Sequence, residues 1–151
     1  MVDYPLIHDW FRHADNDYKV AEYLLLEFHP VQIEIICFHC QQAAEKWLKG
    51  YLVYMGIAEI PKTHELNKLR DTCAEFDPRF EEIAAECDFL TQFGVTPRYP
   101  DEWEVIEQDA RRAVDCATMI NNITPLTDLR NRTAEAMANN NESLSHSQQM
   151  M

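Results

Sequence analysis

The chain has 151 residues, a formal net charge of −13 and 46% hydrophobic residues. The hydrophobic fraction excludes a wholly disordered chain, and the length predicts one domain that buries a core without disulfides or metal. Only three glycines occur, which disfavours a turn-rich β fold. The negative charge disfavours broad nucleic-acid binding but leaves room for a small local basic site.

The expected location follows from three features of the sequence. The first ten residues carry Asp3 and Asp9 and lack the basic and apolar regions of a signal peptide. The most apolar stretch, residues 33–38, contains Glu34 and is too short to cross a bilayer. The cysteines number five, which favours reduced thiols over a disulfide framework. We therefore expect a cytoplasmic protein that does not enter a membrane.

Apolar residues recur at helical spacing from the start of the chain. A first helix is expected over residues 8–28, ended by His29-Pro30, because proline disfavours the α region for the residue before it. A second helix, over residues 31–55, is apolar around most of its circumference and is expected at the centre of a bundle. Gly56 suits the left-handed position after this helix, and Gly50 inside it predicts close approach of another backbone.

Two shorter helices follow. One is expected over residues 63–76, and Asp77-Pro78 is typical of the start of the next, which Gly94 ends. Two prolines exclude a helix over residues 96–100.

A further long helix is expected to begin with Asp101 and Glu104, which resemble a capping box, and to continue through Ile120. The sequence thus predicts an all-α fold, an up-and-down antiparallel helical bundle of about five helices over residues 1–123. Residues 124–151 form a C-terminal tail that is expected to be weakly helical at first and mobile from residue 139.

Polar residues on the central helix are the first candidates for a functional site. Gln41, Glu45 and Lys49 lie on one face at i, i+4 and i+8, and Gln42 and Lys46 lie on a neighbouring strip. On an ordinary solvated face, the Glu45–Lys49 pair would contribute only a few tenths of a kcal/mol. Because the rest of this helix is apolar, we expect its polar strip to face a groove or an interface.

Cations from three stretches of sequence could form a local positive site. Lys62 and His64 follow the central helix, and Arg98 and Tyr99 lie in the later proline-containing turn. Together with Lys46 and Lys49, these basic side chains would bind a phosphate or another anion. In the alternative interpretation, His64 caps a helix and Arg98 pairs with a glutamate.

A metal site is not favoured by the sequence. Cys37 and Cys40, with His39 between them, resemble half of a zinc site, but no second Cys/His pair at close spacing follows. Both cysteines fall on the apolar stripe and are expected in the core. The sequence also contains no glycine-rich phosphate loop, nucleophile elbow or paired metal motif. We therefore expect no metal and no cofactor.

Three segments, read in order, resemble the HEPN (higher eukaryotes and prokaryotes nucleotide-binding) domain family. The first is the most specific and runs from Phe38 through Gln41-Gln42-Ala-Ala-Glu45-Lys46 to Lys49. The second is Pro61-Lys62-Thr63-His64-Glu65-Leu66, and the third is Arg98-Tyr99-Pro100. The likeness covers about residues 10–120. It implies a helical bundle that commonly forms dimers, and a role beside nucleotides or RNA. Many prokaryotic members act with a minimal nucleotidyltransferase as a toxin–antitoxin-like pair.

The sequence departs from the ribonuclease members of the family in one respect. They carry an arginine followed, after four to six residues, by a histidine, and no arginine here meets that test. The favoured interpretation is therefore a non-catalytic module that binds a nucleotide or phosphate through Lys46, Lys49, Lys62, His64 and Arg98, with Tyr99 stacking on a base or fixing its loop.

Two alternatives remain open. One is a metal-independent endoribonuclease that uses Arg98 and His64, and the other is a structural partner of a nucleotidyltransferase. A homodimer is expected, with Trp10, Phe11 and Trp103 as candidate contact residues, although these aromatics could instead close the ends of the bundle.

Overall fold

The computed structural model of the chain describes residues 1–94 and 104–149. Within them every regular element is a helix, which confirms the predicted all-α bundle. One more long helix is present than the sequence predicted. The elements are α1 (Tyr4–Leu26), α2 (Ile33–Tyr54), α3 (Leu66–Phe76), a 3₁₀ helix (Pro78–Ile83), α4 (Ala84–Thr91), α5 (Glu107–Asn121) and α6 (Thr124–Gln149).

Helix α1 begins four residues earlier than predicted. Asp3 caps it, since a carboxylate oxygen of Asp3 accepts a hydrogen bond from the backbone N–H of Leu6 at 3.1 Å. Pro5 lies in the first turn, where its missing N–H costs nothing, and the added turn buries Ile7 completely. The helix ends at Leu26, before His29-Pro30 as expected.

Helix α2 is the centre of the bundle, as its apolar circumference predicted. It contacts every other α-helix in the described part of the chain. Its pairing with α1 is antiparallel, because His39 near its start reaches Asp17, whereas Gly50 near its end packs against Phe11. After α2, Gly56 has a φ of 78°, which is the left-handed conformation predicted from its position.

Gly50 of α2 lies against a side chain rather than against the backbone that the sequence suggested. A Cβ atom at this position would lie 2.7 Å from a ring carbon of Phe11 and 3.3 Å from the Cβ of Trp10. The ring of Phe11 is buried in the core and has little room to move. The absence of a side chain at Gly50 therefore sets how closely α1 packs on α2.

Replacing Gly50 by alanine is expected to lower the free energy of unfolding. Alanine should gain about 1 kcal/mol in helix propensity, but the overpacking against Phe11 should cost about 1–3 kcal/mol. Urea denaturation checks the net loss. In the Phe11→Leu background the same substitution should be neutral or stabilising, and an equal loss in both backgrounds would contradict the steric explanation.

The short elements after α2 follow the predicted order. Helix α3 begins at Leu66 rather than near residue 63, because the hydroxyl of Thr63 accepts a hydrogen bond from the N–H of Glu65 and forms a turn. Asp77 caps the next element as predicted, accepting a hydrogen bond from the N–H of Arg79 at 3.0 Å. That element begins as a 3₁₀ helix and continues as α4.

Helix α5 begins later than the sequence predicted. Its N-cap residue is Ile106, and Asp109 closes the first turn by accepting a hydrogen bond from the N–H of Ile106 at 2.9 Å. Glu104 therefore precedes the helix, and Asp101 lies outside the described residues. The prediction that the helix starts at a capping box of Asp101 and Glu104 was therefore wrong. The helix starts later, and Asp109 supplies the carboxylate at its third position.

Helix α6 is longer than the weak helix predicted to end near residue 138. It continues to Gln149, although the side chains described beyond residue 138 are exposed. The packed part is its beginning, where Leu126 and Leu129 are buried against the bundle. The mobility of the end of the chain stays a prediction. None of the helices described combines the length and apolar character needed to cross a membrane.

Candidate functional site

A carboxylate on α2 holds a polar cluster together. One oxygen of Glu45 accepts hydrogen bonds from Nδ1 of His64 at 2.8 Å and from the amide of Gln41 at 3.2 Å. The other oxygen accepts from Nζ of Lys49 at 3.0 Å. Gln41 also donates to the backbone carbonyl of His64, and its own carbonyl accepts from Gln42. We call these five residues the Glu45 cluster.

The Glu45 cluster is buried on its α2 side and open on its loop side. Gln41 is fully buried, and the side chains of Glu45 and Lys49 are only 7% and 9% exposed. His64 is 59% exposed. The polar strip of α2 is therefore covered rather than open to water, and Glu45–Lys49 is a buried pair rather than a solvated one.

The environment of Glu45 favours its charged form. Burial alone would raise the pKa of this carboxyl, but the hydrogen bonds from His64, Lys49 and Gln41 outweigh burial and hold the pKa below its usual value. Glu45 is therefore ionised at neutral pH and balances the charge of Lys49.

Stability should consequently fall with acid. A carboxyl whose folded pKa is depressed contributes stability above its unfolded pKa of about 4.3, and this contribution is lost as the pH falls through the lower folded value. We expect the free energy of unfolding, measured in urea, to decline below about pH 4.3. The Glu45→Gln variant should decline less steeply, and an identical pH profile would contradict the assignment.

The same hydrogen bond orients His64. Because the carboxylate of Glu45 can only accept, Nδ1 of His64 carries the hydrogen, and the other ring nitrogen, Nε2, is left for a ligand or a proton. A buried carboxylate that fixes an exposed imidazole in this way can support anion binding when the imidazole is charged. It can support proton transfer when the imidazole is neutral.

Gly94, the last residue before the gap in the described chain, packs against this cluster. A Cβ atom there would lie 2.9 Å from the amide nitrogen of Gln41 and 3.3 Å from the Cβ of His64. Only glycine therefore fits without displacing the buried amide. The role predicted for Gly94 was to end a helix, and its contact with the site was not predicted.

Lys46 belongs to a second cluster on a different face of α2. Its ammonium group donates to one oxygen of Asp17, and Nδ1 of His39 contacts the other oxygen at 2.8 Å. Burial would raise the pKa of Asp17, but the hydrogen bonds from His39 and Lys46 lower it overall. Lys46 is thus paired with α1 and is not part of the Glu45 cluster.

The predicted cationic site is therefore present only in part. The structure brings Lys49 and His64 together with the supporting residues Gln41, Gln42 and Glu45. Lys62 is exposed in the loop before α3, and it has no ion-pair partner among the residues described. Arg98 and Tyr99 lie outside the described residues, so their predicted place in the site stays a prediction.

The cysteines lie in the core, as their position on the apolar stripe predicted. All five are buried, and none takes part in a disulfide. Burial raises the pKa of the thiols of Cys40, Cys73, Cys87 and Cys116, so these sulfurs stay protonated and are poor nucleophiles. Within residues 1–94 and 104–149, no three His, Cys, Asp or Glu residues are grouped to hold a metal ion.

Sequence reasoning missed the aromatic neighbour of the Glu45 cluster and misjudged one dimer candidate. Nζ of Lys49 lies 6.0 Å from the centre of the Trp10 ring, so the partly buried Trp10 lies beside the site. Phe11 is 4% exposed and belongs to the core, which makes it unsuitable as a dimer contact. Trp103 lies outside the described residues. The helical stripe contained both Trp10 and Phe11. Only the packing of α1 shows that Trp10 lies beside the site and that Phe11 lies in the core.

Comparison with solved structures gives relatives of the same fold. The chain is 27% identical to an archaeal HEPN homologue, ST0689, with a TM-score of 0.61 over 84% of this chain and 97% of that one. It is 23% identical to the protein TT1696 from Thermus thermophilus, with a TM-score of 0.64 over 82% and 97% of the two chains. No curated protein sequence matches significantly.

The family model named HEPN domain matches residues 7–126, which extends from the first turns of α1 into α6 and includes the whole Glu45 cluster. The match covers most of the chain and agrees with the helical architecture and with the archaeal relative. The chain belongs to the HEPN domain family.

Proposed function

We propose that this HEPN domain is a non-catalytic module that binds a nucleotide or another phosphate ligand at the Glu45 cluster. The observation that carries the proposal is His64, an exposed imidazole fixed by a buried carboxylate. Its free nitrogen points away from that carboxylate, and the exposed cation Lys62 is two residues distant in sequence. An imidazolium and an ammonium group suit the oxygens of a phosphate.

Charge balance defines the conditions under which the site should bind. Glu45 offsets Lys49, so with a neutral imidazole the cluster holds no net charge. A charged imidazole at His64 would make the cluster positive, and Lys62, two residues away in sequence, supplies a further exposed cation. Binding should therefore weaken as the salt concentration rises. The proposal that Arg98 and Tyr99 also contact the ligand depends on the family resemblance alone.

Titration with labelled ATP and GTP at low salt tests this proposal. We expect millimolar or tighter binding that weakens about tenfold in His64→Ala and in Lys62→Ala, because each loses a charge-assisted contact. Lys68→Ala is the matched control, since it removes an exposed lysine that pairs with Glu65 on α3. Absence of binding to wild-type protein, or equal losses in all three variants, would overturn the site.

We further propose that the module acts with a minimal nucleotidyltransferase in a toxin–antitoxin-like system. Gln42 at the margin of the Glu45 cluster and Lys46 one turn further along α2 are both half-buried and offer a polar surface. Co-purification of the two chains should weaken when Gln42 is replaced by arginine. Undiminished co-purification would exclude this face as the contact. A homodimer and a cytoplasmic location also stay part of the proposal.

A metal-independent endoribonuclease is the second candidate, favoured by the Glu45–His64 pair. A neutral imidazole held through Nδ1 has its other nitrogen available as a general base. Incubation with total RNA in the presence of a chelator separates the two functions. Cleavage that disappears in His64→Ala would support the enzyme, whereas intact RNA would support the binding module.

A further inference from the structure

A second cationic site lies between α1 and α6 and shares no residue with the Glu45 cluster. An open cavity of about 240 Å³ separates the two helices there. Three cations, Arg12, Lys19 and Arg130, line it together with the single carboxylate of Asp15. In a chain with a formal net charge of −13, a cavity lined by three cations and one carboxylate is a local excess of positive charge.

Arg130 is fixed in place by side chains of two other helices. One of its terminal nitrogens donates to Asp15 on α1 at 2.6 Å, and the other donates to Asn121 on α5 at 2.6 Å. The guanidinium carbon lies 5.1 Å from the centre of the Phe11 ring, which also lines the cavity. The guanidinium group on the α6 side of the cavity is therefore held in a defined position.

The carboxylate of Asp15 forms an ion pair with Arg130, not with Arg12 or Lys19. One of its oxygens accepts from Arg130, and the other accepts from the indole N–H of Trp47 at 2.9 Å. Lys19 has no carboxylate within ion-pair distance in the part of the chain that is described. Arg12 is 52% exposed, and its contact with Asp9 is 3.9 Å long, which is weak for an exposed pair.

Arg12 and Lys19 are placed to act together on one ligand. They lie seven residues apart on α1, which puts them on the same face with an axial separation of about 10.5 Å. Long flexible side chains can converge over this distance on a group in the cavity between them. A planar guanidinium and an ammonium group recognise the oxygens of a phosphate.

We propose that this cavity binds a small phosphate-bearing molecule, with the phosphate held by Arg12 and Lys19. The cavity is small for a drug-sized ligand but suits a phosphate joined to a sugar-sized group. Apolar atoms of Phe11 and Ala134, which also line the cavity, would contact the organic part of a phosphomonoester. The site is independent of the nucleotide site proposed above, because different residues and different helices form it.

Amide NMR titration at constant ionic strength tests this site. Inorganic phosphate and ribose 5-phosphate serve as separate probes, and both should cause saturable shifts at the cavity residues of α1 and α6. Tighter binding of the ester would identify a phosphomonoester site, whereas equal affinities would identify a site for phosphate itself. Failure of both probes to saturate at tens of millimolar would overturn the proposal.

Charge-matched variants separate this site from general attraction and from the Glu45 cluster. Arg12→Ala and Lys19→Ala should each weaken phosphate binding about tenfold or more. Arg111→Ala removes the same charge from an exposed position on α5 and should leave the affinity unchanged. An equal loss in Arg111→Ala would show only a response to net charge. His64→Ala should leave the shifts at the α1–α6 cavity intact even if it abolishes ATP binding.

Discussion

Replacement of Glu45 by alanine is expected to lower the free energy of unfolding by about 3–5 kcal/mol, because it leaves a buried charge without its partner. Lys49 would keep an ammonium group that is almost enclosed, and the amide of Gln41 would lose an acceptor. His64 would suffer little, since it can turn toward solvent. Urea denaturation monitored by circular dichroism measures the loss.

A double variant distinguishes the unpaired charge from a general packing defect. Adding Lys49→Met to Glu45→Ala removes the stranded ammonium group, and we expect recovery of much of the lost stability. Glu45→Gln should lie between the wild type and Glu45→Ala, because the amide oxygen still accepts a hydrogen bond. A loss below about 1 kcal/mol in Glu45→Ala would mean that the carboxylate does not organise the cluster.

Replacement of Asp15 by alanine is expected to cost about 2–3 kcal/mol, for a different reason. The indole N–H of Trp47 belongs to a fully buried side chain and would lose its acceptor. Arg130 would also lose one of its anchors, but this guanidinium is one-third exposed and water can replace part of the interaction. The penalty should therefore come mainly from Trp47, and thermal or urea denaturation measures it.

Two variants test that division of the cost. Asp15→Asn keeps an oxygen for Trp47 and should lose about 1 kcal/mol, mostly through Arg130. In a Trp47→Phe background there is no indole donor to strand, so Asp15→Ala should cost much less than in the wild type. Equal costs in both backgrounds would assign the effect to Arg130 instead.

The fold could be predicted from the sequence where the hydrophobic periodicity determines the position of a helix. Helix α2 is apolar around its circumference, and its central position follows from that property alone. The start of α5 could not be chosen in the same way. Asp101 with Glu104 and Ile106 with Asp109 both place an acid three residues after a possible cap, and the structure forms the second pair.

The candidate site could likewise be predicted only where helical spacing places its residues. The spacing of Gln41, Glu45 and Lys49 was sufficient to place them on one face and, given the apolar helix, to predict that this face is covered. The partner of Lys46 could not be predicted, because its contact with Asp17 depends on the register of α1 against α2. The sequence therefore predicted that Lys46 of the family motif binds a ligand, whereas in the structure it is paired with a carboxylate.

The cysteines of this protein also provide a way to observe its motions. All five thiols are enclosed by packed helices, so alkylating reagents should reach them only when part of the bundle opens. Pulsed alkylation followed by peptide mass spectrometry would therefore time the opening of individual helices, since α2, α3, α4 and α5 each carry at least one thiol. The molecule carries its own reporters of local unfolding without any engineered label.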